Sequence, residues 1–451
     1  MILDRGCLAA LLGEEERRFR EAHPRSLAAY QRARRSLLGG VPMHWMVRWA
    51  GGFPIFVTGG EGAYLTDVDG LRYLDLCLGD TGAMTGHAPA AAVEAVRAQA
   101  GRGFTFMLPT EDAIWVGEEL ARRFGLPYWQ FAVTATDANR FAIRLARAIT
   151  GRPKILVFNW CYHGTVDETF VTLAGGRAVP REGNLGPPVD PALTTRVVEF
   201  NDLPALEAAL AHGDVACVLA EPALTNVGIV HPEPGFHAAL RELTRRAGTL
   251  LVIDETHTIC TGPGGYTRAH GLTPDMLTLG KPVAGGVPGA VYGFSEAVAD
   301  RVGALSRLET ADTGGIGGTL AANALATAAM RATLEHVLTE ASYRRTIPLA
   351  ERFTRGVEAV IAEECLPWIV KRLGCRVEYW FHPSPPRNGG EAAAAVDPEL
   401  ERYMHLAAFN RGILLTPFHN MALLAPGVTE ADVDRHTEVF RESVRAGSLF
   451  R

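Results

Sequence analysis

Lysine is nearly missing from this chain. Of 451 residues 44 are basic, yet only Lys154, Lys281 and Lys371 are lysines, the other 41 being arginines. Genome base composition accounts for such a bias, but it makes each retained lysine worth explaining. Also missing is a CxxC pair. The seven cysteines, Cys7, Cys77, Cys161, Cys217, Cys260, Cys365 and Cys375, are odd in number and lack metal-ligand spacing, so neither a disulfide framework nor a zinc site is expected and a reducing cytoplasm is the default. No run approaches the ~18 apolar residues of a membrane span. The opening MILDRGCLAALLGEEERRF turns to charge too soon for a signal peptide, so neither export nor an anchor is expected. Basic residues are scattered under a net charge of −6, which argues against a nucleic-acid surface. What is present, 47% hydrophobic and 21% charged residues, is the composition of a soluble globular protein, with room for two or three domains of roughly 100–200 residues.

Residues 10–37 read as charged helix broken near Pro24, with an apolar stripe too narrow to stand alone. The stretch FPIFVTGGEGAYLTDVDGLRYLDLCLG then alternates apolar and polar residues around GG and DG turns, the pattern of a small antiparallel unit. From about residue 90 to 330, short apolar runs alternate with helical ones. The strand candidates are 130–135, 154–159, 215–222, 250–256, 276–281 and 289–294. Continuous apolar strands between helices predict an α/β fold, its mainly parallel central sheet covered by helices. The expected division is 1–75, an N-terminal helical segment with the antiparallel unit; 76–330, the large α/β domain; and 331–451, a C-terminal α+β domain.

Ligands of such sheets bind beyond the carboxyl ends of the strands, where Thr134 to Thr136, Glu221, Asp254 and Lys281 are expected to gather. Asp254 ends the run LLVID and needs a cationic partner if buried. A partly desolvated lysine gives up its proton readily and attacks carbonyls. An aspartate under a pyridinium nitrogen and a lysine bonded to an aldehyde are what pyridoxal phosphate requires. A plain ion pair, or two residues on solvated loops, explains those two residues equally well. The run FAVTATDANRFAIRLARAIT adds a strand leading through small hydroxylated residues into a helix, where backbone N–H groups and the Thr134 and Thr136 hydroxyls can hold a phosphate; simple helix capping is the alternative.

GEGAYLTDVDG, PTE (109–111), TDAN with RLARAITGR, CYHG (161–164), FNDL, AEPALTNVG, IDET, PDMLTLGKPVAGGVPGAVYGF and GGTLAANAL occur in an order and spacing that carry a resemblance along nearly the whole chain. The chain resembles the class III pyridoxal-phosphate aminotransferases of fold type I, in the branch of glutamate-1-semialdehyde aminomutase, β-amino-acid transaminases and amine transaminases. The resemblance implies pyridoxal 5'-phosphate as cofactor, Lys281 as the lysine bonded to it and Asp254 as partner of its ring nitrogen. It implies that Thr134, Ala135 and Thr136 hold the phosphate, Ala135 replacing the usual glycine. Tyr162 and Thr256 should lie against the two ring faces, with Glu221 and His257 beside the ring, His257 where some relatives have a glutamine near the phenolic oxygen. Thr319 should reach the phosphate of a neighbouring subunit, making a homodimer with active sites at its interface.

For the substrate, Thr261 and His419 stand where relatives carry carboxylate-binding arginines, leaving Arg48, with Trp45 and His419 as further lining. The reading that results is a ping-pong aminotransferase moving an amino group from an amine or hydrophobic amino acid to a keto acid such as pyruvate. The alternatives are a glutamate-1-semialdehyde-like aminomutase, a decarboxylase on the same lysine, and a non-enzymatic scaffold.

Overall fold

The computed structural model describes residues 3–186, 189–305 and 314–449. Two compact units emerge, Ala90–Tyr343 with Pro386–Ala394, and Met1–Pro89 with Arg344–Pro385 and Ala395–Arg451.

The first unit is built on a seven-stranded sheet: β1 (Tyr128–Ala132), β2 (Lys154–Phe158), β3 (Thr195–Val198), β4 (Val215–Ala220), β5 (Leu250–Asp254), β6 (Met276–Leu279) and β7 (Ala290–Phe294). The spatial order is β1-β7-β6-β5-β4-β2-β3, with β7 antiparallel to both neighbours and the other pairs parallel. Every residue of β4, β5, β6 and β7 is buried, the signature of strands covered on both faces. Each fully buried aliphatic side chain there contributes about 2 kcal/mol, so the sheet is a rigid platform for whatever its edge carries. Register pairs Asp254 with Thr278, which brings the acid and the start of the Lys281 turn to the same carboxyl edge.

Several strand ends fall a residue or two short of the sequence expectation, and two differences have a physical reason. β1 ends at Ala132 rather than running to residue 135, because Thr134 caps the helix α2 (Ala135–Thr150) that follows α1 (Glu111–Phe124) and β1. The seventh strand, β3, was not anticipated. It is four residues long, at the sheet edge, and its Arg196 turns to Asp214 at 2.7 Å, so no continuous apolar run marks it.

In the second unit the N-terminal helical stretch breaks at Pro24 into Arg5–Ala22 and Pro24–Ala33. Its narrow apolar stripe, Leu8, Leu12 and Phe19, is buried, and the helix packs on Pro398–Asn410. Buried Glu15 there accepts from Asn410 (2.6 Å) and Arg411 (3.1 Å). The expected antiparallel unit is Val57–Glu61, Tyr64–Asp67 and Arg72–Asp75, extended by Ile413–Leu414 in parallel. A second sheet joins Ile369–Leu373, Arg376–Trp380 and Met421–Leu423, all antiparallel.

Glu401, on the helix Pro398–Asn410, has its carboxyl pushed up to about 8 by burial and by the negative charges of Asp397 and Glu378. The folded protein therefore keeps a proton that the unfolded chain loses near 4.5, and stability falls as pH rises from there to about 8. Glu401→Gln, which mimics the protonated acid, is expected to raise Tm by a few °C at about pH 9 and hardly at all near pH 5. Thermal unfolding at the two pH values checks this; an equal gain at both contradicts it.

Candidate functional site

Asp254, at the end of β5, is 4% exposed. Its Oδ2 accepts from Asn139 Nδ2 (2.9 Å) and from His163 Nδ1 (2.9 Å), and its Oδ1 accepts from the Thr256 N–H (3.1 Å). Burial alone pushes the acid upward, but the hydrogen bond and charge of His163, with Thr256 and Asn139, outweigh it and hold Asp254 down at about 2. Burial likewise opposes a charged imidazole, yet Cys161 and Asp254 raise His163 well above its ordinary range. Both shifts favour the charged forms, and a carboxylate kept ionised in this way can hold a proton on a ring nitrogen.

Asn139 is the residue that sequence reasoning passed over. Fully buried on α2, it donates to Asp254 and to the His163 carbonyl (3.1 Å) and accepts from the Thr278 hydroxyl (2.7 Å). One amide thus joins α2, β5, β6 and the CYHG turn. The available signal was an asparagine on the apolar face of an amphipathic helix, since a buried amide requires partners.

The helix start and its two neighbouring turns are pressed together through glycines. At Gly164, φ is +78° and an added Cβ would lie 2.2 Å from Thr136 Oγ1 and 2.9 Å from its Cα. At Gly280 an added Cβ would meet the Ala135 methyl at 2.8 Å and the Ala135 nitrogen at 3.2 Å. The alanine in place of the usual glycine is therefore accommodated by the glycine opposite. Gly164→Ala is expected to destabilise the protein by about 3 kcal/mol, through left-handed strain and overpacking; an unchanged denaturant midpoint would refute the close approach.

Ala135 and Thr136 open α2, so their N–H groups have no partner within the helix and suit an anion. Thr136 Oγ1 accepts from the Thr165 N–H (3.0 Å), leaving its own proton to donate. The Thr134 hydroxyl instead donates to Asp137 (2.8 Å) and accepts from the Asp137 N–H (3.2 Å), a helix cap. Tyr162 is half-buried on the turn that Gly164 closes. Thr256 Oγ1 accepts from the Gly280 N–H (3.3 Å), tying the Asp254 turn to the Lys281 turn. Lys281 itself has φ +49°, a left-handed conformation that costs a non-glycine residue about 1–3 kcal/mol. Its Nζ lies 2.7 Å from His257 Nε2. Glu221 is 3% exposed and receives the Thr225 hydroxyl, while Thr319 is exposed.

The remaining sequence-predicted residues lie in the other unit. There the exposed Arg48 holds its guanidinium 4.7 Å above the Phe418 ring, Trp45 meets the same ring edge-on at 5.8 Å, and His419 Nδ1 is bonded to buried Glu378.

The donor set fits pyridoxal phosphate: an aspartate held ionised, a helix start whose first N–H groups suit an anion and whose two neighbouring turns approach through glycines, and a lysine on one of those turns. Comparisons with known proteins agree. The family Aminotransferase class-III matches residues 46–443. Glutamate-1-semialdehyde 2,1-aminomutase of Sorangium cellulosum is 37% identical over 432 residues, covering 94% of this chain and 97% of that protein. The crystal structure of a glutamate-1-semialdehyde-aminomutase from Pseudomonas aeruginosa PAO1 is 54% identical with a TM-score of 0.96, covering 99% of this chain and all of that one, and a variant of that protein was solved in complex with PMP. An omega-transaminase from Sphaerobacter thermophilus follows at 29% identity and a TM-score of 0.85, covering 93% of this chain and 97% of that one. The chain belongs to the class-III aminotransferase family, with the fold type I architecture and pyridoxal phosphate as cofactor.

Proposed function

We propose that the chain is an aminomutase of the glutamate-1-semialdehyde type, moving an amino group between neighbouring carbons of one substrate. The observation that carries this reading is the 54% identity, over 99% of the chain, to the Pseudomonas protein so described. It favours the intramolecular alternative over transfer to a separate keto acid. When bound, the cofactor supplies an aldehyde that takes up amino groups and a ring that accepts the electrons of a breaking C–H bond.

The chain's own residues do the rest. The Ala135 and Thr136 N–H groups and the Thr136 hydroxyl bind the phosphate, completed by Thr319 of a second copy in a homodimer. Asp254, held ionised by His163 and Asn139, keeps the ring nitrogen protonated. Tyr162 and Thr256 flank the ring. Lys281 would hold the cofactor through Nζ, and its amine would take a proton from one substrate carbon and deliver it to the neighbouring one. Arg48 binds the substrate carboxylate: with its face on Phe418, the guanidinium edge stays available for a two-point contact.

Intermolecular transamination is the second reading, supported by the aromatic pair Trp45 and Phe418, which suits an apolar amine, and by the omega-transaminase likeness. One assay separates the two. Holoenzyme is given glutamate 1-semialdehyde with neither amine donor nor keto acid. Formation of 5-amino-4-oxopentanoate is the expected result. No such product, together with amine consumption only when pyruvate is added, overturns the proposal in favour of the second reading.

A further inference from the structure

The turn 254–257 carries four polar side chains, and each is directed to a different neighbour. Asp254 receives Asn139 and His163. Glu255, fully buried, accepts from the Thr258 hydroxyl (2.5 Å) and the N–H groups of Tyr266 (3.1 Å) and Thr267 (2.5 Å). Thr256 receives the Gly280 N–H. His257, 9% exposed, meets Lys281 Nζ at 2.7 Å. The last contact is set by the one before it. Because Thr256 pins the residue preceding Lys281, the backbones on either side of the imidazole and the amine are fixed, and Nε2 faces Nζ across a hydrogen-bond distance.

We infer that His257 is the proton-transfer partner of Lys281. The inference rests on Lys281 being the cofactor lysine and adds a role that the lysine does not fill alone. Before Lys281 can attack an aldehyde, its ammonium must lose a proton. His257 Nε2 accepts it: an Nζ–H bond breaks, an Nε2–H bond forms, and the lone pair left on Nζ is the nucleophile. After the attack a second Nζ–H bond breaks and its proton makes the former aldehyde oxygen a hydroxyl. The proton held on His257 then passes to that hydroxyl, which departs as water as the carbon–nitrogen double bond forms, and His257 returns to its neutral form. Overall the lysine ammonium and the aldehyde give a protonated carbon–nitrogen double bond and one water, so charge and atoms balance. Imidazole suits the task because its ordinary pKa lies near neutrality, where giving and taking a proton are both easy.

The test follows attachment of pyridoxal phosphate to the apoenzyme by the visible absorbance of the lysine-bound cofactor, comparing wild type with Lys281→Ala, His257→Gln and His257→Ala. Wild type should develop the band and Lys281→Ala should not; failure of that contrast sinks the assignment of Lys281, which is a separate outcome from failure of the His257 role. If the inference holds, His257→Gln reaches the same final absorbance but at least about 100-fold more slowly, with an unchanged Tm. His257→Ala is slowed similarly and speeds up in proportion to added imidazole, which a purely structural role would not produce. Attachment at the wild-type rate in His257→Gln overturns the inference, and so does slow attachment in His257→Ala that imidazole leaves unaltered.

Discussion

Lys281→Ala lowers kcat by at least about 10⁴-fold, the scale on which removing a covalent catalyst acts, and Lys281→Arg does the same. Arginine would keep the charge and the length, but a guanidinium does not give up its proton within a protein's working range, so it is no nucleophile. No other lysine can substitute. Lys154 stands at the amino end of β2, at the opposite edge of the sheet from Asp254, and pairs with Asp214 at 3.5 Å. Lys371 belongs to the strand Ile369–Leu373 of the other unit. Since Lys281 is a partly exposed residue opening a short helical turn, the alanine variant should unfold within about 1 kcal/mol of wild type, so lost turnover reports chemistry rather than folding. Steady-state kinetics beside a denaturant melt checks both halves. Residual activity above about 1% of wild type contradicts the role.

Asp254→Asn is the second large effect, a loss of about 10³-fold in kcat, the upper scale for one preorganised electrostatic contact. The amide keeps the size of the carboxylate but cannot hold a proton on a ring nitrogen by charge, and it leaves the His163 imidazolium without its counter-ion. His163 should accordingly lose the part of its support that does not come from Cys161. The sign with pH follows from the depressed acid. Asp254 contributes stability above the unfolded carboxyl value of 3.8, and that contribution disappears as pH falls through about 2. Activity lost between pH 6 and about 4 therefore reports other groups, and histidine NMR of Asp254→Asn should show the His163 titration moved downward.

Much of this was legible in the residues because the relevant signals are local and strong. Runs such as VACVLA and LLVID, buried along their whole length, announce a parallel sheet, and an acid at the end of one run with a lysine just past another marks its edge. What escaped notice depends on tertiary placement. β3 is short and its polar residues find partners only in the folded chain. Asn139 looks like any helical asparagine until the fold sets Asp254 and Thr278 against it. The Thr134 hydroxyl admits two readings in sequence, phosphate ligand or helix cap, and only the fold shows that it is bonded to Asp137. The Ala135 methyl, where the resemblance expects a glycine, finds its room in the fold because Gly280 lies opposite it.

The scarcity of lysine makes the central claim open to a direct measurement. Holoenzyme reduced with borohydride, which fixes the cofactor to its lysine, is digested and its peptides weighed. The reduced pyridoxyl mass is expected on the peptide containing Lys281 and on neither of those containing Lys154 or Lys371. Label on either of these, or none on Lys281, would contradict it.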